Sequence, residues 1–248
     1  MMYQLPHRRT SINSFLRRFH NMKQNKMGWL IDENFLSYFR DQYVHDHPIL
    51  KQLRENTKKL RGFLMQVTPE VGAFLGFLVR LTKATEILEV GTFTGYSTLS
   101  MALALDNGGN ITTIDVEGDW VSMAQEHFEA SGLKNHIHQI IGSADRALAK
   151  LIRDVGRDHY DLAFVDADKL NTDLYYEYAL QLVRPGGLVI LDNILWKGKV
   201  SDLDDVDPIT TVFRSLQQKA MKDDRVNVVS LPLHDGLMLM IKKHQSES

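Results

Sequence analysis

Residues 160–196, YDLAFVDADKLNTDLYYEYALQLVRPGGLVILDNILW, contain two short apolar runs separated by a segment of helical character. The runs are Tyr160–Val165 and Leu188–Leu191, and the turn Pro185-Gly186-Gly187 precedes the second run. Short apolar runs bounded by turn residues or charge are typical of buried strands. The stretch therefore predicts a strand, a crossover helix and a second strand parallel to the first.

Acidic and amide side chains end both runs. Asp166 follows the first run, and Asp192 and Asn193 follow the second. In an open parallel sheet, ligands bind at the carboxyl ends of the strands, so we expect these side chains to converge. Their oxygen atoms would suit a hard divalent cation. Asp and Asn are also common at strand ends and in turns. On these residues alone, a cation site and ordinary turn residues both remain open.

The alternation of apolar runs and helical segments extends on both sides of this stretch. Upstream, the runs ILEVG, ITTIDV and IHQIIG are each followed by a helical segment. Downstream, Val226–Leu233 and Leu237–Ile241 are separated only by His234-Asp235-Gly236, which permits a hairpin but no crossover helix. The chain is therefore predicted to be an α/β protein. Its sheet should have about seven strands, mostly parallel with an antiparallel last strand, and helices on both faces.

Composition excludes several classes of protein. The 29 basic and 31 acidic residues nearly cancel, so there is no overall charge signature of nucleic-acid or membrane binding. The absence of cysteine excludes disulfides, thiolate metal sites and cysteine nucleophiles, and it is compatible with a reducing compartment. No uninterrupted apolar run approaches the ~18 residues of a membrane span. We expect a cytoplasmic protein without membrane contacts.

The chain is expected to be a single domain, 1–248, in which residues 1–61 form a helical amino-terminal extension. Residues 33–61 predict two helices that meet near Pro48, and Thr68-Pro69 predicts another helix start. The amino terminus is basic and has apolar residues at helical spacing, which are Ile12, Phe15, Leu16, Phe19 and Met22. This pattern fits an organelle transit segment, an arm for RNA or an anionic substrate, or a packing helix. Packing is favoured, and with it a homodimer.

Residues 89–97, EVGTFTGYS, predict a strand-to-helix turn whose two glycines allow a ligand to approach the backbone closely. The pattern is not GxGxxG, the fingerprint of dinucleotide-binding proteins. Glu89 ends the strand, where its negative charge suits a cationic ligand such as a sulfonium amino acid better than a phosphate. Asp115 ends the next strand and is placed to accept ribose hydroxyls, as in several nucleotide-binding folds.

Taken together, three segments resemble the metal-dependent O-methyltransferases that use S-adenosylmethionine, the family of caffeoyl-CoA and catechol O-methyltransferases. The segments are EVGTFTGYS, IGSADRAL and VDADKLNTDLYYEYALQLVRPGGLVILDNILWKGKV. The resemblance extends from about Val67 to Ile241. It implies the Rossmann-like fold of class I methyltransferases.

The resemblance also implies roles for individual residues. Cofactor contacts are implied for Val67, Glu89, Gly91, Thr92, Ser97, Asp115, Ala144 and Asp168. Asp166, Asp192 and Asn193 would bind Mg²⁺, or alternatively Mn²⁺ or Ca²⁺, and Asp166 would thereby take part in catalysis. Lys169 matches the family's general base, with a solvated surface lysine as the alternative. Trp196 and Lys197 are weaker candidates for substrate contact.

Some positions depart from the family pattern. Ser143 stands where proline is usual, Thr172 stands where tyrosine is common, and Lys197 replaces the asparagine of the plant enzymes. These departures weaken the case for a plant-type substrate. The methyl acceptor is expected to be a catechol-like or other vicinal-hydroxyl small molecule. One alternative is a hydroxylated base in RNA, held by the basic amino terminus and the patch at Lys58, Lys59 and Arg61. A non-catalytic cofactor-binding protein is the third reading.

Overall fold

The computed structural model describes residues 33–105 and 108–244. Contacts within the chain divide it into two compact units, the second of which begins at Asp46. Helix α1 (Glu33–Tyr43) belongs to the first unit. The expected amino-terminal helix around Ile12–Met22 lies outside the described residues. The features below all belong to the second unit.

Strands and helices alternate through most of the second unit. The strands are β1 (Glu86–Val90), β2 (Asn110–Asp115), β3 (Ile137–Ile141), β4 (Tyr160–Val165), β5 (Val183–Leu191), β6 (Val226–Leu231) and β7 (Leu237–Lys242). The helices are α2 (Pro48–Thr57), α3 (Pro69–Thr82), α4 (Tyr96–Ala102), α5 (Trp120–Ala130), α6 (Ala144–Asp154), α7 (Thr172–Leu182) and α8 (Pro208–Ala220). Short 3₁₀ turns lie at Phe63–Met65, Lys134–His136, Lys169–Asn171 and Trp196–Ser201.

Within the described ranges, the strands form one seven-stranded sheet in the order β3-β2-β1-β4-β5-β7-β6. Strand β7 pairs antiparallel with both β5 and β6, and the other pairs are parallel. A hairpin joins β6 to β7, as the short connection at residues 232–236 requires. The predicted fold class, with its antiparallel last strand, is confirmed.

Each face of the sheet has its own apolar layer because successive strand residues point to opposite faces. Ile87 and Phe164 lie in a cluster with residues from α2, α3, α4 and α5. Leu88 and Val165 lie in a second cluster with residues from α6, α7 and α8. Helices therefore cover both faces, which leaves the ends of the strands for a ligand site.

Helix α2 contributes to the first of these layers. It begins with Pro48, and the side chain of His47 accepts a hydrogen bond from the backbone N–H of Ile49. Leu53 is fully buried, and Leu50 is buried beside it. The sequence assigns this helix to an extension that ends at residue 61. That boundary stays a prediction, but the packing makes α2 part of the sheet's core.

The start of β5 was predicted incorrectly. The sequence predicts a turn at Pro185-Gly186-Gly187 and a strand from Leu188, whereas β5 already begins at Val183. The pairing with β4 shifts between Tyr160–Val183 and Leu162–Leu188, so the turn residues form a bulge within the strand. The carboxylate of Asp161 stabilises this bulge, because it accepts hydrogen bonds from Arg184 Nε at 2.6 Å and Thr85 N at 2.7 Å.

Residues Phe63–Thr82 have the length and hydropathy of a weak membrane-span candidate, with a mean hydropathy of 1.2, although no uninterrupted apolar run suggested one. In the most apolar part of this segment, 44% is buried inside the structure. The continuous α-helix in this stretch, α3, has only 14 residues. At 1.5 Å per residue it is shorter than the ~30 Å hydrocarbon core of a bilayer. Its apolar side, including Val71 and Leu75, packs in the first core layer.

We predict that Leu53→Ala lowers the free energy of unfolding by roughly 2–5 kcal/mol, because it leaves a cavity in the core. Lys51→Ala, at an exposed position of the same helix, should change it by less than about 0.5 kcal/mol. Urea unfolding of both variants measures the difference. Equal effects would mean that α2 is not part of the core.

Candidate active site

One cavity of about 600 Å³ opens at the carboxyl ends of the central parallel strands. Every site residue predicted from the sequence lines it, except Glu89. These residues are Val67, Gly91, Thr92, Ser97, Asp115, Ala144, Asp166, Asp168, Lys169, Asp192, Asn193, Trp196 and Lys197. The structure thus brings together residues from distant parts of the sequence. Their individual roles stay predictions.

The glycine turn between β1 and α4 forms one wall of the cavity. Gly91 has φ = +104°, and a Cβ at this position would lie 2.1 Å from the backbone oxygen of Asp166. Any side chain would therefore force the turn away from the end of β4. Gly95 caps α4 in a left-handed conformation, and a Cβ there would lie 2.5 Å from the ring of Phe128. Both glycines are required by backbone shape and packing.

Asp115, at the end of β2, holds this turn in place. Its Oδ2 accepts hydrogen bonds from Thr92 N at 3.0 Å and Phe93 N at 2.6 Å. Its Oδ1 accepts from Val116 N at 2.7 Å. A carboxylate has about four acceptor positions, so capacity remains for a ligand hydroxyl. The residue predicted to bind ribose therefore also has a structural role.

Glu89 lies beneath the cavity wall and is fully buried. Its Oε2 accepts hydrogen bonds from Thr113 Oγ1 at 2.6 Å and from Thr98 Oγ1. Its Oε1 is buried without a hydrogen-bond partner among the described residues. Burial raises the pKa of Glu89 from 4.5 to about 7. When ionised, this buried carboxylate would favour positive charge on the cavity side of the wall.

A second group of charges lies where β4 and β5 end. Val165 pairs with Leu191 in the sheet, and Asp192 N donates to Val165 O at 3.1 Å. Asp166 and Asp192 are therefore neighbours on adjacent parallel strands. Lys169, one turn after Asp166, places its Nζ 2.5 Å from Asp166 Oδ1. Asp192 is 3% exposed, and its Oδ1 accepts from Asn193 N at 2.6 Å.

The electrostatics of this group fit a bound cation. Burial raises the pKa of Asp166, and the ammonium of Lys169 opposes that rise. Burial and then the negative charge of Asp166 raise the pKa of Asp192. When both carboxylates are ionised, Lys169 can neutralise only one of them, so one negative charge remains uncompensated. Within the described ranges, no group of three or more His, Cys, Asp or Glu residues could hold a metal. A metal site here would therefore depend on the amide of Asn193.

Asp168 has partners that the sequence did not reveal. Its Oδ1 accepts a hydrogen bond from Tyr175 Oη, and its Oδ2 accepts from Asn171 Nδ2 at 2.6 Å. Tyr175 is almost fully buried in α7. Tyr175 therefore fixes the orientation of Asp168. In the sequence, Tyr175 is one of several tyrosines in a helical segment, and this gave no sign of the role.

The other side of the cavity is formed by the 3₁₀ turn at Trp196 and by the β6–β7 hairpin. Trp196 and Lys197 have φ values of +43° and +56°. Lys197 N donates to Asp235 Oδ1 at 2.5 Å, which secures this left-handed turn. His234 and Asp235 line the cavity but were seen in the sequence only as turn residues. Strand direction could have identified these two residues. Strand β6 runs parallel to β5, so the residues that follow β6 lie at the same edge of the sheet as those that follow β5.

Several apolar and aromatic residues of the cavity were also missed. They are Leu64, Met65, Phe93, Tyr96, Ile114, Val116 and Trp120. Gln66 joins this wall to the glycine turn, since its Nε2 donates to Thr94 Oγ1 at 3.1 Å and to Thr57 Oγ1 at 2.9 Å. These residues carry no charge pattern that marks them in sequence, so only the folded chain identifies them.

We predict that Glu89→Gln stabilises the ligand-free protein at pH 8 more than at pH 5. The raised pKa means that the neutral carboxyl supports folding below about pH 4.5, and that this support is lost as pH rises through about 7. At about 1.4 kcal/mol per pH unit between the two pKa values, ionised Glu89 costs about 3 kcal/mol. Urea unfolding at both pH values measures this, with exposed Glu126→Gln as control. A difference between wild type and Glu89→Gln that is independent of pH would contradict the prediction.

Comparison with known proteins assigns the chain to a family. A model of the O-methyltransferase family matches residues 40–243. The chain is 33% identical over 213 residues to probable caffeoyl-CoA O-methyltransferase 1 of Dictyostelium discoideum, covering 85% of this chain and 93% of that protein. It is 36% identical over 210 residues to caffeoyl-CoA O-methyltransferase of Populus kitakamiensis, covering 82% and 89%.

A solved structure agrees with these sequence matches. The O-methyltransferase from Bacillus cereus in complex with S-adenosylhomocysteine (SAH) superimposes with a TM-score of 0.76 and 29% identity, covering 83% of this chain and 96% of that one. The family match includes every residue that lines the cavity. This chain therefore belongs to the O-methyltransferase family of enzymes.

Proposed function

We propose that this enzyme transfers a methyl group from S-adenosylmethionine to one hydroxyl of a catechol-like or other vicinal-hydroxyl small molecule, with the help of a divalent cation. The observation that carries the proposal is the acidic pair Asp166 and Asp192, with Lys169, in the same cavity as the glycine turn. Relatives named as caffeoyl-CoA O-methyltransferases and a relative bound to SAH support the donor and the type of acceptor.

The residues fit both groups that this function requires. Asp166, Asp192 and Asn193 would hold the cation, and the unneutralised charge of the carboxylates supports this assignment. A cation held there would lower the pKa of an acceptor hydroxyl. The turn at Gly91 and the carboxylate of Asp115 would hold the cofactor, which would supply an electrophilic methyl group. The buried carboxylate of Glu89 behind this wall supports a cationic ligand on the cavity side.

The chain's own residues would orient the reactants and move one proton. Lys169 Nζ lies at the acidic pair, where a bound cation would disfavour its ammonium form. The amine could then accept the proton from the hydroxyl that attacks the methyl group. Tyr175 and Asn171 orient Asp168, and Asp115 fixes the glycine turn. The apolar side chains of the cavity would exclude water from the reaction. Most of the rate enhancement would then come from orientation.

The first test concerns the cation and does not depend on turnover. Mg²⁺ should raise the melting temperature of the wild-type protein, because binding to the folded state stabilises it. Asp192→Asn should lose this increase, yet without metal it should be at least as stable as wild type, because a buried like charge is removed. Asp204→Asn, at an exposed position away from the cavity, is the control. An equal Mg²⁺ response in Asp192→Asn would contradict the proposed ligand.

The second test concerns the base. Lys169→Ala should lower the maximal rate by roughly 10²–10⁴, the usual contribution of a positioned acid or base, while SAH affinity is retained. Lys169→Arg should be impaired similarly, because a guanidinium keeps the charge but does not release its proton. Lys150→Ala, at an exposed ion pair of α6, is the matched control. Full activity in Lys169→Arg would show that the residue acts through charge alone.

The third test concerns donor and acceptor together. Calorimetry should detect binding of S-adenosylmethionine and no comparable binding of NAD. A labelled donor should then transfer its methyl group to a catechol or a hydroxycinnamoyl ester in the presence of Mg²⁺. Transfer to bulk RNA instead would overturn the small-molecule assignment while leaving the site residues in place. A preference for NAD would overturn the proposed chemistry.

A further inference from the structure

Residues 196–198, the strained turn, follow Asn193 with a backbone conformation that costs energy. Trp196 and Lys197 have φ values of +43° and +56°, and Gly198 follows at +79°. Two successive non-glycine residues in the left-handed region are strained, so they persist only where the surrounding structure holds them. Trp196 and Lys197 also line the cavity. The shape of this part of the cavity wall therefore depends on contacts from outside the turn.

Arg214, on helix α8, binds the backbone directly after the strained turn. Its Nε donates to Val200 O at 3.1 Å, and its Nη1 donates to Asp205 O at 2.7 Å. Its Nη2 donates to Lys199 O at 3.1 Å and to Asp202 O. One guanidinium thus binds four backbone carbonyls between Lys199 and Asp205. Lysine could not replace it, because an ammonium is a point charge without a planar fork of donors.

Two neighbours of Arg214 on α8 contact the beginning of the same segment. Gln217 Nε2 donates to Ile194 O at 2.5 Å. The ring centroids of Phe213 and Trp196 lie 5.8 Å apart. Phe213 is fully buried, so α8 is fixed to the core at this point. The helix therefore supports the chain on both sides of the strained turn, and Arg214 makes the contacts that follow the turn.

The strained turn borders the acidic end of the cavity rather than the glycine turn. Trp196 N donates to Asn193 O at 3.0 Å, and Asn193 is one of the proposed cation ligands. The glycine turn lies on the other side of β4, after β1. A change in the strained turn should therefore affect the methyl acceptor, which would bind at the cation, more than the cofactor. Arg214 does not line the cavity, so its effect on the acceptor would pass through this turn.

We propose that Arg214 is a positioning residue for the methyl acceptor, because it holds the strained turn in the shape that forms the cavity wall at Trp196 and Lys197. This inference rests on the proposed function, since it takes the acidic end of the cavity as the acceptor site. A wall that is formed before binding removes the cost of ordering it when the acceptor binds. Arg214 thus acts on acceptor affinity without contacting the acceptor.

Arg214→Met removes every donor and keeps an unbranched side chain, so it is the direct test. With saturating S-adenosylmethionine and Mg²⁺, KM for catechol should rise roughly 5- to 50-fold, because the segment is then ordered only when the acceptor binds. The maximal rate should fall by a smaller factor, because the bound acceptor restores the wall. The dissociation constant for SAH, measured by calorimetry, should not change. An unchanged KM for catechol, or an equal loss of catechol and SAH affinity, would contradict the proposal.

Arg225→Met is the matched control. Arg225 also binds several acceptors, since its Nη1 donates to Glu177 Oε2 at 2.9 Å and its Nη2 donates to Asp223 Oδ2 at 2.6 Å. It does not line the cavity. Both variants lose an arginine with several hydrogen bonds, so both should have a lower melting temperature. Only Arg214→Met should raise KM for catechol. An equal rise in both variants would show that Arg214 acts through overall stability alone.

Limited digestion with trypsin tests the same inference without turnover. Trypsin cleaves after lysine, and Lys197 and Lys199 lie in the segment that Arg214 holds. Cleavage after these two residues should be faster in Arg214→Met than in wild type, whereas cleavage after the exposed Lys83, at the end of α3, should be equal in both. Equal cleavage after Lys197 and Lys199 would overturn the role of Arg214 alone. If the wild type methylates neither catechol nor a hydroxycinnamoyl ester, the proposed function fails, and the digestion distinguishes the two failures.

Discussion

The approach of the glycine turn to the end of β4 is the constraint on which the site depends. The backbone at Gly91 passes so close to Asp166 that a Cβ would lie 2.1 Å from its carbonyl oxygen. The same contact continues the sheet's hydrogen bonding, since Asp166 N donates to Val90 O at 2.8 Å. It thereby joins the wall that would hold the cofactor to the acidic pair that would hold the cation. One backbone contact would thereby align the two halves of the proposed methyl transfer.

Buried negative charge is the second organising feature. Glu89 is the penultimate residue of β1, Asp166 and Asp192 directly follow β4 and β5, and burial raises the pKa of each. Among the described residues near them, Lys169 supplies the positive charge, at 2.5 Å from Asp166. A site with this imbalance is less stable empty than loaded, because bound cations would offset the repulsion. The protein would then be destabilised at the place where we propose that it binds positively charged ligands, a common feature of functional sites.

Much of the architecture could be predicted from the sequence because its signals are local. Alternating apolar runs and helical segments predicted the sheet, and the short spacing at His234-Asp235-Gly236 predicted the hairpin. The residues that follow the strands could be assigned to one site, because parallel strands have their carboxyl ends at the same edge of the sheet. The motifs of a known family then supplied roles for them.

What could not be predicted depends on contacts between distant residues. Pro185-Gly186-Gly187 has the residue types of a turn, but it forms a bulge within β5. Asp161, on the neighbouring strand β4, stabilises that bulge. The second roles of Asp115 and Asp168 are hydrogen bonds to the glycine turn and to Tyr175, which no spacing reveals. Trp120 was missed for the same reason, because only the folded chain brings it to the cavity.

We propose that one cavity of this O-methyltransferase holds a divalent cation at its acidic end and the cofactor at its glycine turn. A crystal grown with Mn²⁺ and SAH tests it most directly, because manganese is located by its anomalous scattering. We expect an anomalous peak among Asp166, Asp192 and Asn193, with SAH lying against Gly91 and Asp115. SAH bound in the cavity with no manganese at these three residues, or manganese bound elsewhere, would contradict it.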